Sequence, residues 1–284
     1  MRRLQGRVRH GAFVADAGGS SGAVEDRLRA AAEDVLYTLL YARPTEVTAA
    51  LFQLLPSSPS TPDEPLGQQI HREACYAALG VGACELQATL SFAQMLGAAS
   101  SEAEALLGAT AQGTAAAVPQ RPPLVAALQA RLCWLISCWW AFGGQGDALE
   151  DERMCSASYA LLGRMANSGA DLAVRLQASQ VLHTLLHGCS AEDVRVFAPH
   201  ASDVLQGLAS TLAICTEDDA CLWVLRALRT LLRQVPPTVL SPQARDGVAA
   251  VLGSAWQRAE AESRPLLLTA LKRVANAMNA FGTA

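Results

Sequence analysis

Apolar residues recur along this chain every three or four positions, in runs broken by proline, glycine and serine. That spacing puts them on one face of an α-helix. Leu124, Leu128, Leu132, Leu135 and Trp139 form the clearest stripe, and predict a helix over residues 124–142 stopped by Gly143-Gly144. Leu28, Val35 and Leu39 mark a helix over 25–41. Pro44 is expected to end it, with Thr45 capping a partner over 46–55. Further helices are expected over 68–86, 91–96 with a continuation over 100–107, 151–166, 171–187, 201–215, 218–235, 242–259 and 263–281. No stretch alternates in the manner of a β-strand.

The helices repeat. Arg131-Leu132-Cys133, then Ala178-Ser179-Gln180, then the stretch after Arg226, then Leu271-Lys272-Arg273 recur at a spacing of about 47 residues. A period of about 40–47 residues built from helix pairs is the signature of HEAT and armadillo solenoids. The expected fold is therefore all-α, a HEAT/armadillo-like superhelix of about six helical hairpins. In domain terms, 1–24 is expected to be a disordered, basic and Gly/Ser-rich start. Residues 25–107 hold the first hairpins, 108–123 a linker, and 124–284 the later repeats. The last hairpin lacks its second helix, which points to a piece of a longer solenoid with an apolar strip exposed around Leu266, Leu267 and Leu271.

At the centre stands Asp171-x-x-Val174-Arg175-x-x-Ala178. Asp171 is expected to cap a helix start. Val174 and Ala178 share a face, and Arg175 is expected to reach an Asp, another acid or a carbonyl of a neighbouring repeat. This Asp–Arg ladder is a structural device.

Composition narrows the function. The chain is 51% hydrophobic and 17% charged, which is apolar enough for extensive burial. Its formal net charge of −4 and 5% aromatic content argue against nucleic-acid partners, which need a basic surface and stacking rings. No apolar run is long enough to cross a membrane. The eight cysteines show no C-x-x-C pair and read as buried free thiols. The basic stretch before Asp16 has the charge of a transit peptide, but an unstructured terminus is the simpler reading.

Candidate chemistry is sparse. His183 and His187 stand four apart, without the glutamate of H-E-x-x-H or a third ligand. Cys133 and Cys138 point to different helix faces, and no G-x-S-x-G elbow or phosphate-cradling glycine loop is present. No enzyme activity, cofactor or metal is expected. The candidate partner contacts are Trp140, expected to be the more exposed of two adjacent tryptophans, and Arg226, Arg229 and Arg233, which share one helix face.

Several motifs, in order, resemble the middle of a karyopherin-β nuclear transport receptor, most closely of the importin-eleven type. They are Arg72-Glu73-Ala74-Cys75-Tyr76-Ala77-Ala78-Leu79-Gly80, Ala83-Cys84-Glu85-Leu86, Arg131-Leu132-Cys133-Trp134-Leu135-Ile136 with Trp139, and the Asp171 motif followed by Phe197-Ala198-Pro199. The likeness covers residues 18–281. It implies a HEAT-repeat fold, non-covalent binding of protein cargo and of nuclear-pore phenylalanine–glycine repeats, and shuttling between cytoplasm and nucleus. Family members are considerably longer. Their amino-terminal repeats, which bind the small GTPase Ran, have no counterpart in this sequence. The alternative is a helical-repeat scaffold that holds protein partners without transport.

Overall fold

The structure, a computed structural model, describes residues 21–55, 58, 61, 64–111, 123–140, 148–167, 171–236, 239–258 and 264–282. The Arg-rich start, the Gly143-Gly144 stop and most of the expected linker lie outside these residues. Among the described residues every regular element is helical and none is a strand.

The chain opens with α1 (Ser21–Ala42), α2 (Pro44–Leu54), α3 (Leu66–Val81) and a short α4 (Ala83–Leu86). It continues through α5 (Phe92–Ala111), α6 (Pro123–Trp140), α7 (Ala148–Asn167), α8 (Leu172–His187) and α9 (Ala191–Phe197). A 3-10 turn (Ala198–His200) leads into α10 (Ala201–Ile214), α11 (Asp218–Gln234), α12 (Pro242–Arg258) and α13 (Arg264–Gly282).

Helix packing sorts most of these elements into two rows. In one row α3 packs on α6, α6 on α8, α8 on α11, and α11 on α13. In the other, α5 packs on α7, α7 on α10, and α10 on α12. The rows meet through α5 with α6, α7 with α8, α10 with α11, and α12 with α13. One continuous apolar core runs between them, from Leu40 through Leu132, Leu182 and Leu228 to Leu267 and Ala270. Most of the stripe read on α6 is inside it, with Leu128 buried and Leu132, Leu135 and Trp139 at 0% exposure, while Leu124 at the start of the helix is half-buried.

Local chemistry sets the helix starts. Asp171 accepts from the Ala173 N–H at 2.9 Å and caps α8, as its position suggests. Ser190 and Asp193 form a reciprocal capping box at α9. Ser91 and Gln94 do the same ahead of α5. At α2 the expectation holds in part. Helix α1 does stop just before Pro44, at Ala42, but Arg43, not Thr45, is the cap residue of α2, and Pro44 is its first helical residue. Proline at the first helical position gives up an N–H that has no partner there anyway, so it starts helices as readily as it breaks them.

The expected helix over 68–86 bends at Gly82, which separates α3 from α4. The short α9 has no counterpart among the expected helices. Its turn places Phe197 fully in the core.

Two close approaches fix how the helices sit. A side chain at Gly207 on α10 would meet the Ala166 Cβ on α7 at 3.1 Å, so small residues bring those helices together. A Cβ at Gly80 on α3 would fall 2.3 Å from the Trp134 ring on α6.

The proline-rich stretch between α2 and α3 ends in a buried charge cluster. Glu64 pairs with Arg72 at 2.9 Å, and Arg72 pairs with Glu102 of α5 at 3.5 Å. All three side chains are at most 7% exposed. Glu64, just ahead of α3, is thus tied through Arg72 to α3 and α5.

Helix α13 packs on both α11 and α12, with Leu267 and Ala270 buried. Of its apolar side chains Leu268 is 60% exposed and Leu271 is half-buried. The side chains of Leu266, Val274 and Met278 lie outside the described residues.

Candidate functional site

Helices α6, α8 and α11 are neighbours in one row, and they carry the residues singled out in the sequence. The C-terminal halves of α8 and α11 lie side by side. His183 Nδ1 sits 3.0 Å from Thr230 Oγ1. Gln234 Nε2 donates to the Leu186 carbonyl at 3.2 Å. His183 and Thr230 are one repeat period apart, so the sequence period already holds this contact.

Along the outer edge of α11 stand Trp223, Arg226, Arg229 and Arg233. The Arg226 guanidinium lies over the Trp223 ring, 5.0 Å from its centroid. Arg226 and Arg229 are partly buried and Arg233 is exposed. His183 and His187 pack edge to face, with ring centroids 5.7 Å apart. Burial first, then the charges of His187, Arg226 and Arg229, hold the His183 imidazole below its ordinary pKa. The structure therefore gathers α8 histidines and α11 arginines into one basic cluster.

A related stack occurs on α6. Arg131 lies over the Trp134 ring at 4.7 Å. There the charge is answered, because Arg131 Nε donates to Glu73 of α3 at 2.6 Å.

Trp140 is the more exposed of the two adjacent tryptophans, as expected, but it is not a free surface anchor. It is half-buried and sits between Phe92 and Tyr159, with ring centroids at 6.2 and 5.3 Å. Tyr159 continues the aromatic chain to Phe197 at 4.8 Å. Trp139 is completely buried and donates its indole N–H to the Leu79 carbonyl at 3.0 Å. Both tryptophans pack because α6 touches α3, α5 and α8, so little of its circumference is left to solvent.

Arg175 is buried at 9% exposure and meets no acid among the described residues. Its Nε donates to the Ala166 carbonyl at 3.0 Å, and Nη2 donates to Ser210 Oγ on α10. Ala166 lies in the last turn of α7, where carbonyls lack helical partners and the helix dipole favours a cation. Of the partners expected for Arg175, the carbonyl is the one found, and the Asp–Arg ladder is not. Burial lowers the guanidinium pKa.

All eight cysteines are free thiols, with Cys75, Cys133 and Cys215 buried. The Cys133 thiol points at Met165 Sδ at 2.8 Å, and burial raises its pKa. Among the described residues no group of three or more His, Cys, Asp or Glu side chains is placed to hold a metal ion. No described helix is long and apolar enough to cross a membrane. A cavity of about 310 Å³ opens between α2, α3, α5 and α6, lined mainly by Phe52, Tyr76, Leu79, Met95 and Leu135. Its lining holds no titratable pair suited to acid–base chemistry.

Comparison with known protein families, with curated proteins and with solved structures finds no match to this chain.

Proposed function

We propose that this chain binds protein partners non-covalently on a HEAT-like stack of helix pairs, as a segment of a karyopherin-β type nuclear transport receptor. The observation that carries this reading is the two-row order of the helices, α3–α6–α8–α11–α13 against α5–α7–α10–α12. Each step along a row is one helix pair further along the chain. Such stacks have no central pocket for chemistry; they offer long surfaces on which many modest contacts add up. The ordered motifs around Arg72, Arg131 and Asp171 support the transport-receptor form of the reading. The expected ligands are folded cargo and phenylalanine–glycine repeats, with movement between cytoplasm and nucleus. Ran binding is not part of the proposal.

The test is a fluorescence-anisotropy titration of the full chain against a labelled peptide of several phenylalanine–glycine repeats. A serine–glycine peptide serves as control. Saturable binding of the first and none of the second is expected. Equal behaviour of the two peptides contradicts the transport reading.

The second reading is a protein-binding scaffold without transport. The packing of Trp140 between Phe92 and Tyr159 favours it, since an indole held there is not offered to a phenylalanine–glycine repeat. A scaffold would hold a partner through another surface and ignore both peptides.

A further inference from the structure

Several arginines of this protein are answered by glutamates. Arg43 pairs with Glu46, Arg72 with Glu64 and Glu102, Arg131 with Glu73, Arg164 with Glu104, and Arg195 with Glu152 and Glu192. In a chain of net charge −4 this is the expected outcome, because acids outnumber bases. Arg226, Arg229 and Arg233 are not among these pairs. None of the three forms an ion pair with a described residue, although they stand together at positions i, i+3 and i+7 of α11.

Helices α8 and α13, both packed on α11, contain no Asp or Glu to answer them. On α8 the facing groups are His183 and His187. On α13, packed against α11, Arg264 and Lys272 are exposed. The nearest acids of α11 itself, Glu217 and Asp219, are exposed at the opposite end of the helix from Arg233. The Arg226 guanidinium is also positioned, lying on the Trp223 ring instead of extending freely into water. A cation held over an aromatic face loses less side-chain freedom on binding an anion.

We propose that the α8–α11 face is a docking surface for an acidic peptide segment of a protein partner, with Arg226, Arg229 and Arg233 receiving its carboxylates. Guanidinium groups suit that chemistry, since each offers parallel N–H donors to the two oxygens of a carboxylate. The spacing of the arginines along the edge of α11 fits side chains of a peptide running beside the helix. The Trp223 ring gives the stem of such a peptide an apolar contact. A nucleic acid would also bring anions, but the net charge of −4 opposes a long polyanion, while a short acidic segment meets only the local field. This inference rests on the protein-binding reading above and deepens it by naming the chemistry of the partner.

The test titrates the full chain, at about 0.1 M salt, against a fluorescein-labelled glutamate-rich peptide. A lysine-rich peptide and a single-stranded oligonucleotide are run in parallel. Saturable binding of the glutamate-rich peptide is expected. Replacing Arg226, Arg229 and Arg233 together by Glu should weaken it by about tenfold or more, while Arg195→Glu, away from this face, should leave it within about twofold. Circular dichroism of each variant confirms that it folds, and a triple replacement by Gln replaces the Glu set if that one does not. No binding of the glutamate-rich peptide overturns the proposal, as does binding that survives the triple replacement. Equal binding of the lysine-rich peptide overturns the charge selectivity it requires. Tighter binding of the oligonucleotide overturns the partner class. A chain that takes phenylalanine–glycine repeats but not the glutamate-rich peptide contradicts this inference alone and leaves the function proposed above standing.

Discussion

The indole N–H of Trp139 on α6 donates to the backbone carbonyl of Leu79 on α3 at 3.0 Å, inside the core. Leu79 lies in the last turn of α3, so its carbonyl has no helical partner. One side chain therefore fills the space between two neighbouring helices of the row and completes the end of one of them. Trp139→Phe keeps most of the ring but strands that carbonyl, and should destabilise the fold by about 1–3 kcal/mol. Trp139→Ala adds a cavity and should cost about 3–5 kcal/mol. Urea unfolding followed by circular dichroism measures both, and equal stabilities for Phe and Trp would show that the hydrogen bond contributes nothing.

Asp171 and Arg175 act on different helices although they are four residues apart. The first caps α8, and the second satisfies the end of α7 and reaches α10. Asp171→Ala should lower stability by about 0.5–2 kcal/mol, the usual worth of a cap. Arg175→Met should lower it by about 1–3 kcal/mol, since the Ala166 carbonyl and the Ser210 hydroxyl then lose a buried donor. A ladder of surface ion pairs would make Arg175 the cheaper loss and salt-sensitive. A loss that is small and vanishes at high salt would contradict the buried geometry.

Two glycines in helices should respond with opposite signs. A methyl group added at Gly97 on α5 would meet nothing within 4 Å, so Gly97→Ala should stabilise by about 0.5–1 kcal/mol through helix propensity. At Gly80 the same methyl would fall 2.3 Å from Trp134. The indole must then move, and with it the Arg131 stack. Gly80→Ala should therefore destabilise and shift the tryptophan fluorescence, whereas a stabilised Gly80→Ala would show that α3 and α6 are not this close.

Acid should weaken the fold through its histidines. His183 is held below its ordinary pKa by burial and then by His187, Arg226 and Arg229. His200 is also lowered by burial, a change that Asp203 only partly opposes. The unfolded chain takes up these protons first, near the ordinary histidine pKa of about 6.5. Stability from the two groups is thus complete above that pH and declines as the pH falls through it toward the lower folded-state values. The urea midpoint should drop between about pH 7.5 and about pH 5.5, and His183→Gln should shrink the drop. A midpoint that does not change over this range would contradict the placement of both rings.

Much of this fold is legible in the sequence because a helix leaves a period. The Leu124-to-Trp139 stripe marks α6, and the Asp171 cap marks the start of α8 within one residue. The failures have physical causes. Thr45 reads as a cap from its residue type, yet Pro44 already occupies the first helical position of α2, where its fixed backbone angle fits. The seven residues of α9 carry a polar capping box and too few apolar positions to show a period. The partners of Arg175 and the pinning of Glu64 by Arg72 depend on which helices meet, which no local pattern encodes. Adjacent helical residues point apart, which divides Trp139 and Trp140 into core and surface on a single helix. That division overlooks the neighbours α6 has on several sides. At the candidate site the arginine edge is visible from its spacing. The histidines of α8 join it only through the side-by-side packing of α8 and α11.

The most direct test of the central claim is passage at the nuclear pore. The fluorescently labelled chain would be added to permeabilised cells beside an inert protein of similar mass. The account predicts accumulation of the chain at the nuclear rim, competed away by excess phenylalanine–glycine peptide and not by serine–glycine peptide. A distribution indistinguishable from that of the inert protein, in a chain shown to be folded and helical, would contradict it.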